Sequence, residues 1–458
     1  MVKHWIKSIL TAAVAGALML GTTGCSVGFT LSPDELYRLP KLPAEYTELD
    51  KQLSAMISAG AEYAPPSSGT NIQSVQLTDL DGDGRQEALA FLRVADDEKP
   101  LKIYIFSFSP EDQTYRQTAV IEGTGTGFYS VTYTDMDGDG YMELLVGWKV
   151  NAELQALTVY SLAHGAPQEL MRSNYVKYAV TNLDRDEKQE LVVIRADEDG
   201  DGTADYYRWQ DTGLVSQSSA RISSTMAQLS QQGRLTQGTL LDGTAALFVT
   251  GVTDATQAVT DILTEKNGEL TNISLSDITG VSTAVYSFQS LYPMDINHDD
   301  ITEIPWQEAS PVALEETPDF DAVDPYIEWR SYDGSGGYAV VETTCHNTED
   351  GWYLRIPEDW EDRVLVHRSV SSDEAMVTFL YQNEDGSPQE FLRITAITGS
   401  GRESKAARSG RFILSRQAKT IYTAELLEAN SSWKYGVTED DVREAFSLID
   451  TEWLTSDN

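Results

Sequence analysis

Short apolar segments separated by polar turns fill the chain from about residue 71 onward. Val75 and Leu77 precede one polar run and residues 88–92 follow it, and further segments of this kind cover 102–106 and 115–121. β-Branched and aromatic residues alternate with polar ones in these segments, which is typical of antiparallel strands. The pattern predicts a mainly β fold with about four strands per unit.

The segment before these strands has a helical pattern. Leu49, Leu53, Met56 and Ile57 lie on one face of a helix predicted within 43–60, and a linker to residue 69 follows it. Residues 43–69 are therefore predicted to form a helix and linker that precede the β region.

The pattern changes again near the C-terminus. Residues 326–343 are predicted to form two strands that complete a fifth unit, and residues 346–458 a separate α+β domain of unknown function that begins at Trp352–Pro357. Its predicted strands are Val364–Val366, Ala375–Tyr381, Phe391–Ile397, Arg411–Leu414 and Thr420–Leu426. Thr438 and Asp441 match a capping box, which predicts a final helix with an apolar face formed by Val442, Phe446 and Ile449.

Four acidic runs of one design interrupt the apolar segments. They cover residues 79–87, 135–143, 182–190 and 295–303, and each places oxygen side chains at positions 1, 3, 5 and 9. A hard cation such as Ca²⁺ prefers such oxygen ligands. The candidate metal ligands are Asp79, Asp81, Asp83, Glu87, Asp135, Asp137, Asp139, Glu143, Asn182, Asp184, Asp186, Glu190, Asp295, Asn297, Asp299 and Glu303.

The spacing of these runs indicates a repeat of about 50 residues. Their first residues are 56, 47 and 113 positions apart, so the last interval holds two periods. Residues 238–246 supply the missing unit: they keep Asp242-Gly243 but lack oxygen ligands at positions 1, 3 and 9. We expect this unit to fold like its neighbours without binding metal.

The run Asp-x-Asp-Gly-Asp-Gly-x-x-Glu between strands, best matched at 79–87 and 135–143, resembles the FG-GAP/VCBS repeats of integrin-α-like propellers. The repeat length and the four strands per unit match β-propeller blades and predict a β-propeller-like array of about five four-stranded units over residues 70–345. The family resemblance covers roughly residues 70–310 of this array. It also implies structural Ca²⁺ at two to five sites, bound by positions 1, 3, 5 and 9 and by the position 7 carbonyl, here that of Arg85 or Tyr141. Glu187 and Asp300 replace the position 6 glycine in the third and last runs, which weakens the expectation there.

Two further observations bear on the metal sites. An EF-hand loop would end in an acidic residue at position 12, whereas these runs have Ala90, Val146, Val193 and Trp306 there. A fifth acidic run follows the third at residues 197–205, and it is either another metal site or a plain acidic turn. Its candidate ligands are Asp197, Asp199, Asp201 and Asp205.

The N-terminus has the features of an export signal. Lys3 and Lys7 precede an uncharged stretch of signal-peptide length at 9–20, and Thr22–Cys25 resembles a bacterial lipobox. Residues 1–24 are therefore predicted to be a lipoprotein signal peptide, Cys25 the lipidated residue and 25–42 a membrane tether. This implies anchoring by lipid at the outer face of a bacterial plasma membrane, and an ordinary secreted protein is the alternative.

Charge and composition narrow the range of possible functions. With 72 acidic and 33 basic residues, the chain has a formal net charge of −39, which repels nucleic acid. No recognisable catalytic motif is present, so the expected function is non-catalytic binding of an extracellular polysaccharide or protein. A secreted carbohydrate-active enzyme on the same scaffold is the alternative. Aromatic residues that could stack on sugars or pack in the core are Trp148, Tyr206, Tyr207, Trp209 and Trp329.

Overall fold

The computed structural model describes residues 46–449 except 164, 212, 254–256, 288–289, 308–325, 361–362 and 384–385. The predicted signal peptide, Cys25 and the tether lie outside the described residues. Within the described part, no helix is long and apolar enough to cross a membrane.

The first element is helix α1 (Thr47–Ser58). Its buried residues Leu49 and Leu53 lie one helical turn apart and pack against Ala88, Phe106 and Tyr115 of the first sheet. The predicted helix is therefore confirmed, and its apolar face covers the outward face of that sheet.

The first three sheets are antiparallel and follow one another along the chain. The first contains β1 (Ala61–Tyr63), β2 (Val75–Thr78), β3 (Glu87–Val94), β4 (Leu101–Ser109) and β5 (Thr114–Gly123). The second contains β6 (Gly127–Thr134), β7 (Glu143–Lys149), β8 (Gln155–Ser161) and β9 (Gln168–Tyr175). The third contains β10 (Lys177–Thr181), β11 (Glu190–Ala196), β12 (Gly202–Gln210) and β13 (Gly213–Arg221).

Helix α2 (Met226–Gln232) leads to the fourth sheet, and two more sheets follow. The fourth contains β14 (Arg234–Thr239), β15 (Ala245–Thr253), β16 (Gln257–Lys266), β17 (Glu269–Asn272) and β18 (Ala284–Ser287). The fifth contains β19 (Glu303–Gln307), β20 (Tyr326–Tyr332), β21 (Tyr338–Asn347), β22 (Trp352–Arg355) and β28 (Phe446–Leu448). The sixth contains β23 (Val364–Ser371), β24 (Glu374–Gln382), β25 (Pro388–Ile397), β26 (Arg411–Arg416) and β27 (Ile421–Leu426).

The short helices of the C-terminal part are α3 (Arg402–Ala406), α4 (Glu428–Ser432) and α5 (Glu439–Ala445), and a 3₁₀ turn covers Glu358–Trp360. Together with the sixth sheet they form the predicted small α+β unit. The fold is therefore a mainly β, propeller-like array of five sheets with an α+β unit at its C-terminal end.

Consecutive sheets share a hydrophobic core. Leu89 and Phe91 of the first sheet pack with Leu144 and Trp148 of the second, and comparable cores join the second to the third, the third to the fourth and the fourth to the fifth. Because a layer lies on each face, β3 is buried over six consecutive residues instead of alternating. The stacking explains why the second strand of each unit has a continuous apolar sequence.

The C-terminal unit is less separate than its sequence suggests. Trp352–Arg355 pairs with β21 and thus belongs to the fifth sheet, and the predicted boundary at 345/346 falls inside β21. The fifth and sixth sheets share a core that includes Trp352 and Phe379. The sixth sheet therefore covers the outward face of the fifth, as α1 covers that of the first.

The predicted last helix is shorter than its apolar pattern. The capping box at Thr438 and Asp441 is confirmed, and Val442 is buried, but α5 ends at Ala445. Phe446 lies in β28, which pairs with β22, and Ile449 follows this strand. Strand pairing with the fifth sheet thus replaces the last helical turn.

Candidate metal centre

Each acidic loop leads into a strand that begins at its position 9, namely β3, β7, β11 or β19. In the first loop Thr78 pairs with Glu87, and Thr134–Glu143 and Thr181–Glu190 are the same pair in the next two sheets. In the fifth sheet an isolated bridge between Met294 and Glu303 takes this place. Position 9 therefore starts this strand in all four loops, directly opposite the residue that precedes position 1.

A glutamate at position 9 closes each loop from inside. Its carboxylate accepts a hydrogen bond from the backbone N–H of position 2, at 2.8–3.2 Å in all four loops. The position 2 side chain is apolar and buried in each case: Leu80, Met136, Leu183 and Ile296. The apolar residue at position 2 attaches each loop to the core. It can be read from the sequence, but a search for oxygen ligands alone does not include it.

The first two loops have the same hydrogen bonds. Asp79 accepts from the N–H groups of Gly82 and Gly84 at 2.9 Å each, and Asp135 does the same with Gly138 and Gly140. These glycines have φ of 71° to 90°, a left-handed conformation that favours glycine. The glycines thus allow each loop to turn around its position 1 carboxylate.

Three groups of carboxylates approach one another closely. Within the described residues, one oxygen from each member of a group lies within 4.8 Å of the others, which is close enough to share one cation. The groups are Asp79, Asp81 and Glu87; Asp135, Asp137 and Glu143; and Asp184, Asp186 and Glu190. Asp83 and Asp139, at position 5, are exposed and accept from the N–H groups of Arg85 and Tyr141.

Among the loop carboxyls, the position 9 glutamates have the most strongly raised pKa values. Burial, followed by repulsion from neighbouring aspartates, raises the pKa of Glu87, Glu143 and Glu190 to about 7 against an opposing backbone hydrogen bond. Burial also raises the pKa of Glu303 to about 7. Without a cation these carboxyls bind protons more readily than free glutamic acid does. A divalent cation would favour their charged form.

The third loop contains a cation from the protein itself. Arg208 of β12 forms an ion pair with Asp184, and its guanidinium lies 3.6 Å from Asp186. Asn182 at position 1 donates to the carbonyl of Asp186 at 2.7 Å, while its buried Oδ1 has no hydrogen-bond partner. An unpartnered oxygen beside two aspartates fits a metal ligand, although Arg208 already neutralises part of the charge.

Among the described residues, the carboxylates of the loop of the fifth sheet are not one of the groups that lie within 4.8 Å of one another. Asp295 accepts from the N–H groups of His298, Asp299 and Asp300, and Asn297 donates to Asp299 at 3.0 Å. His298 and Asp300 have φ of 63° and 66°, so the left-handed turn forms without glycine. Glu303 also accepts from Ser331 at 2.7 Å.

The structure does not assemble the fifth acidic run into one group. Asp197 accepts from Asp199 and Asp201 in the hairpin between β11 and β12. Asp205, predicted at position 9, lies in β12, where it is buried, forms an ion pair with Arg195 and accepts from Ser219. The turn thus forms as expected, but the fourth predicted ligand serves a structural pair.

The fourth sheet has a shorter connection. Ala245 takes the place opposite Thr239, so only residues 240–244 form the loop, and the Leu240 N–H is accepted by the Thr244 carbonyl at 2.8 Å. Strand register therefore places three residues fewer here than in the acidic loops, although the unit folds like its neighbours, as predicted.

The loops also connect neighbouring sheets. Met142 of the second loop donates to the Leu80 carbonyl of the first, and Gln189 of the third donates to Met136 of the second, each at 2.8 Å. Thr302 of the last loop donates to the Thr239 carbonyl in the fourth sheet at 2.9 Å. A loop ordered by an ion would therefore order its neighbour as well.

The aromatic residues considered for sugar stacking are mostly core residues. Trp148, Tyr206 and Trp329 are at most 1% exposed, and Tyr207 and Trp209 are partly buried and pack against a core cluster. The first three cannot form a sugar-binding surface, because their rings are buried.

The sheets and loops together define a repeat protein with a β-propeller-like fold. Residues 79–146, which include the first two acidic loops, match the family model of the FG-GAP-like repeat. A search of curated proteins found no match.

Solved structures with a similar arrangement include two rhamnogalacturonan lyases and a TolB protein. The exotype lyase YesX is 11% identical with a TM-score of 0.26, and the lyase YesW is 12% identical with a TM-score of 0.27. Each alignment covers 72% of this chain and 74% of the lyase. TolB from Acinetobacter baumannii is 9% identical with a TM-score of 0.25, covering 66% of this chain and 62% of that one.

Proposed function

We propose that this chain is a calcium-stabilised extracellular binding protein in which the ion has a structural role. The observation that carries the proposal is the repeated cluster of carboxylates at the points where one loop hydrogen-bonds to the next sheet. Neutralising each cluster would order a loop and, through it, the contact between two sheets.

Calcium is the cation that suits these loops best. The ligands are oxygens only, and the backbone carbonyls of Arg85 and Tyr141 would add to the carboxylates of the first two loops. A flexible acidic loop tolerates the larger, more variable coordination of Ca²⁺ better than the strict octahedron of Mg²⁺. The ion would supply charge compensation, and the protein would hold the glutamate already placed by the strand.

The proposal extends to location and ligand. Lipidation of Cys25 would attach the chain to the outer face of a bacterial plasma membrane, and the sheets would present a binding site for an extracellular polysaccharide or protein. Mass spectrometry of the N-terminal peptide tests the anchor, since a diacylglyceryl group on Cys25 adds a defined mass. An unmodified Cys25 in the mature protein would contradict it.

Calorimetric titration with Ca²⁺ tests the metal-binding part, using the chain from residue 26, which retains every described residue. We expect at least two sites and a melting temperature that rises with Ca²⁺ and falls with EDTA. At 10 mM Ca²⁺ and dissociation constants of about 10⁻⁴ to 10⁻³ M, each site contributes about 1.4 to 2.7 kcal/mol to the free energy of unfolding. The absence of both heat and a melting shift would refute the proposal.

The enzyme alternative has its own measurement. Incubation with acidic and neutral polysaccharides, followed by assay of new reducing ends, would detect chain cleavage. The binding proposal predicts retention of the polymer without cleavage, and sustained turnover would replace it with the carbohydrate-active enzyme.

A further inference from the structure

One part of the sixth sheet reverses the charge of the chain. The 21 residues from Ser404 to Ala424 include no Asp or Glu and five basic residues: Lys405, Arg408, Arg411, Arg416 and Lys419. The whole chain has 72 acidic residues among 458 and a formal net charge of −39. This stretch can therefore attract an anion that the rest of the chain repels.

The stretch lies at an edge of the sixth sheet. It covers the end of α3, all of β26 and the first part of β27, and β26 is the edge strand. Arg408, Arg416 and Lys419 are exposed, and Arg402 at the start of α3 is partly exposed. Charged residues on an edge strand also hinder pairing with other strands. That role does not account for Arg402 and Lys419, because both lie outside β26.

Positive charge remains in excess when the ion pairs of this edge are counted. Seven basic side chains lie around it: Arg393, Arg402, Lys405, Arg408, Arg411, Arg416 and Lys419. Within the described residues, five carboxylates form ion pairs with members of this set: Asp373, Glu374, Glu390, Glu403 and Glu425. The cluster therefore has two more positive charges than negative ones.

The excess charge lies at one end of β26. The Arg402 guanidinium donates to the backbone carbonyls of Gly399 at 3.2 Å and Ala418 at 3.4 Å, and no carboxylate in the described part of the chain pairs with it. Lys419 follows Ala418 in the exposed turn after β26 and, among the same residues, forms no ion pair. Two cations without a carboxylate partner therefore lie side by side at this turn.

Two further arginines are only weakly held by their partners. Arg416 pairs with Glu403 at 2.7 Å, but their side chains are 51% and 66% exposed, and such a pair contributes little stability. Arg408 is 53% exposed and lies 3.4 Å from Glu374, which the buried Arg411 contacts at 2.7 Å. Because β26 spans about 20 Å at roughly 3.3 Å per residue, exposed cations mark both ends of a line of that length.

We propose that this edge of the sixth sheet binds a linear polysaccharide rich in uronic acids, whose carboxylates pair with Arg402 and Lys419 at one end of β26 and with Arg408 at the other. The proposal rests on the binding function proposed above and specifies its ligand class and site. The planar guanidinium of arginine matches the geometry of a carboxylate.

A linear polymer suits this edge better than an anionic membrane does. A single polymer chain touches β26 alone, whereas a flat anionic surface would also approach the acidic remainder of the protein, which it repels. No large hydrophobic residue described between Ser371 and Ile449 is exposed, so this part of the protein offers no side chain to insert into lipid.

Calorimetric titration with a glucuronate hexamer and with its methyl ester tests the proposal. The ester keeps the shape of the polymer and removes its charge. With the full chain in detergent and calcium-containing buffer, the acid should bind about tenfold more tightly than the ester, and its affinity should fall as NaCl is raised.

Variants assign this preference to the edge. Arg402→Gln combined with Lys419→Gln removes the two unpaired charges and should lower affinity for the acid about tenfold. Lys99→Gln combined with Lys266→Gln removes the same charge from exposed residues of the first and fourth sheets and should change nothing. Lys266 matches Arg402 in donating to a backbone carbonyl, that of Gly334.

A variant that strengthens binding guards against a folding defect. Glu403→Gln frees Arg416 from its exposed partner and should raise affinity for the acid about threefold. Melting curves verify that each variant is folded, and Glu403→Gln remains informative if the double variant is not.

The outcomes separate this proposal from the one above. Equal binding of acid and ester, or unchanged affinity in both Glu403→Gln and the folded double variant, would overturn the assignment of the edge. Binding of vesicles of anionic phospholipid without binding of the hexamer would overturn it in favour of a membrane contact. A calcium-dependent melting shift in the same sample would show that the metal-binding part of the proposed function still holds.

Discussion

The loop of the fourth sheet and that of the second connect two strands with different hydrogen bonds. Both connect the first two strands of a sheet, and both must satisfy a backbone N–H at a buried apolar residue, Leu240 in one and Met136 in the other. The fourth loop uses the backbone carbonyl of Thr244 over five residues. The second uses the carboxylate of Glu143 over a longer loop lined with aspartates.

The comparison shows what the acidic residues add. A short turn is sufficient to close the strand pair, so the longer loop is not required for the sheet itself. Its extra residues bring carboxylates together and, through Met142, reach the first loop. The cost is mutual repulsion, which a cation removes. The acidic loop is therefore expected to connect the two sheets firmly only when a cation is bound, whereas the short loop needs no cation.

Removing the position 9 carboxylate should have the largest effect. Glu143→Ala leaves the Met136 N–H without its acceptor, at a cost of about 1 to 3 kcal/mol, and removes a metal ligand worth about 1.4 to 2.7 kcal/mol in 10 mM Ca²⁺. We expect a loss of about 2.4 to 5.7 kcal/mol in the free energy of unfolding, measured by urea denaturation.

Two further variants separate these effects. Glu143→Gln keeps an acceptor oxygen and should lose the calcium-dependent part alone, with unfolding in EDTA nearly unchanged. Asp242→Asn in the fourth loop should leave calcium dependence as in the wild type. If Glu143→Gln kept its full response to Ca²⁺, Glu143 would be no ligand.

The second prediction concerns the contact between loops. A Cβ at Gly82 would lie 2.8 Å from the carbonyl oxygen of Gly140 in the next loop, whereas a Cβ at Gly243 meets nothing within 4 Å. Both glycines have positive φ, 71° and 84°, so alanine pays a similar conformational cost of about 1 to 2 kcal/mol at each. Gly82→Ala should be less stable than Gly243→Ala by about a further 1 to 3 kcal/mol.

Thermal melting of the two alanine variants in EDTA gives this difference without a contribution from the ion. Equal destabilisation would show that the first and second loops can move apart at no cost. The inter-loop contact would then be incidental to the stacking of the sheets.

The sequence predicted the strands and the first two loops because both depend on local pattern. Val75 and Leu77 do lead into the first loop, and Gly84 does adopt the left-handed conformation. Position 9 of the fifth run could not be assigned in this way. Asp205 satisfies the spacing, but strand register places it opposite Val193, two residues from Arg195, with which it forms an ion pair, and spacing alone does not reveal that.

The unit of the fourth sheet, predicted at residues 238–246, shows a second limit of prediction from residue spacing. Counting back from Asp242-Gly243 aligns Gly238 with position 1, whereas the register puts Thr239 opposite Ala245, before the loop begins. A shorter loop cannot be recognised when only one dipeptide, Asp242-Gly243, is used to align it with the acidic runs. The inter-loop hydrogen bonds of Met142 and Gln189 are likewise backbone contacts, so no side-chain pattern could have indicated them.

The third prediction concerns the third loop. This loop is intermediate between the acidic second loop and the short fourth loop, because Arg208 already pairs with Asp184. Arg208→Met should destabilise the metal-free protein by about 1 kcal/mol, since the pair is only partly buried. It should also strengthen Ca²⁺ binding at this loop, because the ion no longer competes with the guanidinium. Arg172→Met, which breaks an exposed pair with Glu169, should leave calorimetric affinity unchanged. An unchanged affinity in Arg208→Met would place the ion away from Asp184.

The smallest expected effect distinguishes the two loops that lack glycine at position 6. Asp300 holds a φ of 66°, while Glu187 lies outside the left-handed region, so the third loop turns at Arg185 without a second left-handed residue at position 6. Asp300→Gly should therefore stabilise the metal-free protein by about 0.5 to 1 kcal/mol, since it relieves a conformation costly for non-glycine residues. Glu187→Gly should destabilise it by a similar amount, because glycine there only adds freedom to the unfolded chain. Opposite signs in urea denaturation with EDTA would confirm that the two loops differ in backbone, and equal signs would mean that they share one turn.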